Sequence, residues 1–164
     1  MTRTIALVLA LLSVPGAALA RESLGVFEIW GAFRDAAAPR RCYAIAQPLR
    51  SAPGKGDRPA FAAVGTWPEK GVRGQFHVRL SRARAATGEL YLSIGERRFA
   101  LVAGEADGWA QDARMDAAII AAMRTTQTMS VEGRARNGRP FYDLYVLKGA
   151  ATAMDAAALG CARK

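Results

Sequence analysis

The chain has 164 residues, 51% of them hydrophobic, and 23 Lys and Arg against 14 Asp and Glu give a formal charge of +9. One His and two Cys leave a metal pair or a catalytic thiol without partners, which excludes the common metal-centre and thiol-enzyme classes. The basic balance favours anionic partners, but it comes mostly from Arg scattered along the chain.

Residues 1–20, MTRTIALVLALLSVPGAALA, read as a secretory signal peptide with a basic Arg3, an apolar run from Ile5 to Val14 and cleavage after Ala20. The run is half the ~20 residues that a spanning helix needs, and no Cys follows the cleavage site to take a lipid. The expected location is periplasmic or secreted, with no transmembrane anchor after cleavage. Removal of Arg3 leaves residues 21–164 as a single domain of charge +8, large enough for one core.

From there the hydrophobic period is mostly two, the mark of strands. In VFEIWGAF, Phe27, Ile29 and Gly31 alternate with Glu28 and Trp30, which predicts one strand. RCYAIA, 41–46, is a second. SAPGKGDRPA, 51–60, is an exposed Pro- and Gly-rich loop. AFAAVGTW and QFHVRL follow as strands, the latter with Phe76, Val78 and Leu80 on one side and His77 and Arg79 on the other. ELYLSIGERRFALVAG predicts a hairpin turning near Gly95 and Glu96. The period then lengthens: Met115, Ile119, Ile120 and Met123 share a helix face, with Asp112 as N-cap. TMSVEGRA and FYDLYVL form a further hairpin around Asn137-Gly138. ATAMDAAAL reads as a short helix stopped by Gly160, which places Cys161 just outside it. About eight short strands with two small helices predict an antiparallel β-sandwich.

Cys42 and Cys161 pair as one disulfide if the chain enters an oxidising space. The bridge spans 119 residues, for which the chain-entropy account gives roughly 4.7 kcal/mol. It ties down a C-terminal segment that would otherwise fray.

The set FEIWGAFRD…RRCYA, DAAIIAAMR and FYDLYVLKGAATAMDAAALGC resembles the invasion-associated locus B family of exported bacterial proteins. Cys42 after the Trp-Gly segment, Ala122-Met123-Arg124, Asp143, Leu147 to Gly149 and Cys161 fall in that family's order. The resemblance covers most of the chain from about Trp30 to Cys161. It implies an immunoglobulin-like β-sandwich, export, a connection in some pathogens with entry into host cells, and no catalytic site.

Chemistry sought in the residues themselves gives little. His77 stands alone on a strand, no GxSxG surrounds a Ser, and no Walker-type loop precedes a helix. The Met residues fit core filling better than soft-metal binding. No cofactor or metal is expected. Trp30 is assigned to the core, while Trp67 is left open between core and partner anchor.

The candidate partner-binding residues are Lys55 and Asp57 of the KGD tripeptide, which resembles short adhesive motifs, and the Arg82, Arg84, Arg134 and Arg136 clusters. Nothing in the sequence brings the two Arg pairs together, so polyanion binding is expected to be weak, with no specific nucleic acid. The chain reads as a non-enzymatic interaction module for an unidentified protein, envelope or host-surface partner. A small periplasmic hydrolase and a polyanion-binding envelope protein are the alternatives.

Overall fold

The computed structural model describes residues 21–162 apart from 37, 53 and 55. The signal-peptide reading at 1–20 and Lys55 of the tripeptide therefore lie outside the described residues.

The chain is mainly β. Its strands are β1 (Arg21–Phe27), β2 (Trp30–Asp35), β3 (Cys42–Ala46), β4 (Arg50–Ala52), β5 (Phe61–Trp67), β6 (Val72–Arg79), β7 (Leu90–Ile94), β8 (Arg97–Ala103), β9 (Asp107–Trp109), β10 (Thr128–Arg134) and β11 (Pro140–Val146). Two α-helices, α1 (Ala113–Met123) and α2 (Ala150–Ala162), join them. All eleven strands belong to one antiparallel sheet in the order β1-β2-β3-β5-β6-β9-β8-β7-β10-β11-β4.

β8 is the corner of this sheet, since Arg97 to Leu101 pair with β7 while Val102 and Ala103 pair with β9. The sheet curls, and strands far apart in the order meet across the core. The Trp30 indole on β2 donates to the Val146 carbonyl at the end of β11, 2.8 Å away. Trp30, Phe76 and Val78 from one half share a buried cluster with Leu90, Leu92, Val131 and Tyr145 from the other. Ile119 and Met123 of α1, and Ala153, Met154 and Ala157 of α2, close the same cluster. The methionines at 123, 129 and 154 are buried within it.

The first predicted strand is instead a hairpin. β1 ends at Phe27, Glu28 turns with φ of 56°, and β2 starts at Trp30, so Ile29 is 47% exposed and Trp30 is fully buried. A large indole with a carbonyl partner inside the core outweighs a smaller Ile, and a one-residue offset exchanges the faces. The turn has no Gly or Asn to announce it.

The second correction is at the C-terminus. α2 continues through Gly160 and carries Cys161 within the helix. A Cβ on Gly160 would run into the Leu24 side chain of β1, so this glycine permits close helix-to-strand packing and is not a helix stop.

Two short strands escaped the periodicity: β9, and β4, which overlaps the start of the predicted loop at 51–60. Within that loop the Asp57 and Arg58 amides donate to the Ser81 carbonyl. The β7–β8 and β10–β11 hairpins and the Asp112 cap stand as expected; Asp112 accepts the Met115 amide at 2.8 Å.

Candidate binding surfaces

Cys42 and Cys161 form a disulfide with an S–S distance of 2.10 Å and Cα atoms 5.7 Å apart. β3 turns Cys42 inward with Ala44 and Ala46, and α2 lies over that side. A second tie is the Arg34 guanidinium, which bonds both Glu22 and the Gly160 carbonyl.

The Arg clusters do come together, contrary to the sequence reading. Arg84 bridges Ala135, the Ala85 amide donates to the Arg134 carbonyl, and the Arg136 amide donates to the Ala83 carbonyl. The joined backbones do not make a free basic patch. Arg84 is turned onto the Gly88 and Gly104 carbonyls, Arg134 onto the Gly138 carbonyl at 3.1 Å, and Arg136 pairs with Glu105. Arg82 reaches the Gly54 carbonyl. Asp57 is exposed and lies beside Arg58.

Asp143, which the family resemblance singled out, is fully buried. Its Oδ2 accepts the Ser81 amide at 2.9 Å, so it fastens β11 to the segment after β6. Burial, and then the nearby Asp143, push the Tyr145 hydroxyl far above the usual tyrosine range.

The most distinctive surface was missed by the sequence reading. Period two turns Ala32, Cys42, Ala62, Phe76 and Val78 inward, so the residues between them face outward on β1, β2, β3, β5, β6 and β9. Both helices pack on the inner side, and no described helix covers the outer one. Phe33, Phe61, Trp67 and Trp109 line this outer face half-buried, and Tyr43 is buried beneath Arg21 and Arg41. Phe33 lies across Gly31 and Trp67 across Gly65, at separations that a Cβ on either glycine would reduce to 2.6 and 2.7 Å.

Arginines sit on the rings. Arg41 lies 4.5 Å from the centre of Tyr43, Arg21 5.5 Å from the same ring, and Arg79 5.3 Å from Phe61. Asp35 pairs with Arg21 and Arg41, at 3.7 and 2.9 Å. Burial, with Asp35 close by, raises the Tyr43 hydroxyl above its usual pKa against the opposing pull of the two arginines. Val26 and Val102, at the two ends of one outward row, are 69% and 53% exposed. The signal for this face was present, because Trp67 and Trp109 hold outward positions once Phe76 and Val78 are inward.

His77 belongs to the same face, on the side the alternation gave it. Its Nε2 lies 2.8 Å from Asp107 Oδ1. Its ring stacks on Trp109 and meets Phe61 edge-on. A carboxylate-oriented imidazole supplies two of the three members of a nucleophilic triad, but here Phe61 and Trp109 pack against the imidazole and Arg79 shares the carboxylate. Among the described residues there is no cluster of three or more His, Cys, Asp or Glu to hold a metal, and no helix long and apolar enough to cross a membrane.

Comparison with known protein families, with curated proteins and with solved structures finds no match to this chain.

Proposed function

We propose that this chain is an exported, non-enzymatic interaction module of the bacterial envelope or exterior, akin to the invasion-associated locus B proteins it resembles. Under this reading residues 1–20 are a cleaved signal peptide and the curled sheet is a form of immunoglobulin-like sandwich. The observation that carries it is the outer face of β1, β2, β3, β5, β6 and β9, where four half-buried aromatic rings stand on paired strands with Arg21, Arg41 and Arg79 among them and neither α-helix over them. Aromatic residues and Arg are the side chains that anchor protein interfaces. The disulfide supports export, because such bonds persist in oxidising compartments.

The test uses Val26→Glu and Val102→Glu, two exposed positions whose change leaves the core intact. Pull-down and crosslinking from envelope and host-cell extracts should capture a partner with the wild type and lose it with either variant. Equal capture by all three proteins rejects this face as the interface.

The hydrolase alternative rests on His77 and Asp107 alone. It predicts turnover of ester or peptide substrates that His77→Gln removes.

A further inference from the structure

The two halves of the Cys42–Cys161 bridge differ in their surroundings. Cys42 is fully buried on β3, whereas Cys161, in the last turn of α2, is 8% exposed. Cys161 also lines a surface pocket of about 250 Å³, and Cys42 does not. Thr66, Pro68 and Arg73 line the same pocket from β5, the following turn and β6, and Ala158 and Ala162 line it from α2. The Thr66 carbonyl lies 3.8 Å from Cys161 Sγ, which sets that sulfur beside the pocket wall.

The charges are also arranged around the bridge. Arg73 brings a cation to the pocket, and no acid among the described residues lines it. On the far side, Arg34 stands opposite Cys42 in the β2–β3 register and reaches the Gly160 carbonyl at 3.2 Å. A second cation is therefore next to the buried cysteine.

We propose that this bridge undergoes thiol–disulfide exchange in the folded protein, with the Cys161 sulfur as the point of attack and a dithiol of the Cys-x-x-Cys type as co-reactant. In the first step a thiolate of the dithiol enters the pocket and bonds Cys161 Sγ. The Cys42–Cys161 bond breaks, and Cys42 leaves as a thiolate that takes a proton from water. The second thiolate of the dithiol then attacks its own neighbouring sulfur. Its disulfide closes, and Cys161 leaves as a thiolate that is protonated in turn. Two electrons have passed from the dithiol to the bridge. In the reverse direction Cys161 is captured first and Cys42 displaces the carrier, so the same pocket serves closure of the bond.

Arg73 attracts the incoming thiolate, and Arg34 favours Cys42 in its departing anionic form. Attack on Cys42 would instead need entry between β3 and α2, through the apolar cluster that both fill. The Arg34 bond to Gly160 and the contact of Leu24 with that glycine hold the end of α2 while the sulfurs part. The exchange thus runs without opening the fold.

The experiment treats the folded, disulfide-intact chain with excess glutathione, a monothiol that stops at the mixed disulfide. Acid quenching, capping of released thiols with N-ethylmaleimide and peptide mass mapping follow. Glutathione should be found on Cys161 and maleimide on Cys42, with the reverse pairing a minor product. Arg73→Ser, an exposed change that leaves the core intact, should slow reduction by dithiothreitol about threefold at low salt, the effect of one charge at ~7 Å in water. The difference should vanish near ~1 M salt. Glutathione on Cys42, an even split between the two cysteines, or an adduct formed only by the urea-unfolded chain overturns the assignment. So does a rate that stops rising with dithiothreitol concentration, as when unfolding must come first, or an Arg73→Ser chain reduced as fast as the wild type at low salt.

Discussion

The His77 imidazole lies nearly parallel to the Trp109 indole, ring centroids 5.1 Å apart and planes 11° from one another. With the Phe61 edge contact and the bond to Asp107, it joins β5, β6 and β9 on the outer face. The sequence alternation alone would make His77 a dispensable surface residue. The stack predicts otherwise: His77→Ala should cost about 1 kcal/mol and lower the Tm by roughly 2–4 °C. His77→Phe should recover part of the loss. Thermal melts followed by circular dichroism check both.

The bridge between β3 and α2 predicts a protein without free thiols. Alkylation of the folded, unreduced chain followed by mass spectrometry should label neither Cys42 nor Cys161. The double change to Ala should cost about 2–5 kcal/mol in a urea titration.

Gly160 is kept small by Leu24. On propensity alone Gly160→Ala would stabilise the helix, but the added methyl meets the Leu24 side chain. A net loss of about 1–3 kcal/mol is expected. In a Leu24→Ala background the same change should become neutral or favourable, a coupling that a double-mutant cycle measures.

Asp116 on α1 predicts a pH effect. Burial raises its carboxyl above the usual range, outweighing the Phe76 amide, which bonds it at 2.7 Å and lowers it, while Asp112 adds to the rise. A folded pKa above the unfolded one means that the native state binds the proton more tightly. Its contribution is therefore fully present below the unfolded value of ~3.9 and is lost as pH rises through the folded value. Asp116→Asn, which can still accept the Phe76 amide, should melt above the wild type at pH 7. The gap should close as the pH falls below about 4.

The arginine segments predict only weak polyanion binding, since the Arg84, Arg134 and Arg136 side chains already serve carbonyls and Glu105. Heparin binding should be measurable at low ionic strength and largely gone near physiological salt, where charges are screened within ~8 Å. Saturable binding at physiological salt that the joint change of Arg134 and Arg136 to Ser removes would count against this assignment.

Strands with strong alternation, such as Phe76-Val78-Leu80, were legible because inward and outward positions differ in chemistry. The Asp112 cap and the Asn137-Gly138 turn were legible because each residue type has a local backbone role. Glu28 carries no such signature, so the β1–β2 turn emerged only from the burial of Trp30. Gly160 misled for the opposite reason: its local meaning is a helix stop, and its actual role is contact with a strand more than a hundred positions away. Pairing of the Arg84 and Ala135 segments is likewise long-range and leaves no trace in either segment. The outer aromatic face fell between these cases, its residues visible one by one and its continuity set by strand order.

The Cys42–Cys161 bond also decides how the molecule would respond to pulling or cutting. Tension applied at the two ends of the chain passes across the sulfur bridge and bypasses the residues it encloses. Only β1, β2 and the short stretch leading to Cys42 would be drawn out, while β5 to β11 stayed unloaded. A protease that cut the chain once between 53 and 58 would likewise release nothing, because both sides of the nick remain joined through the same two sulfurs. That bond converts a single break in the chain into a local opening.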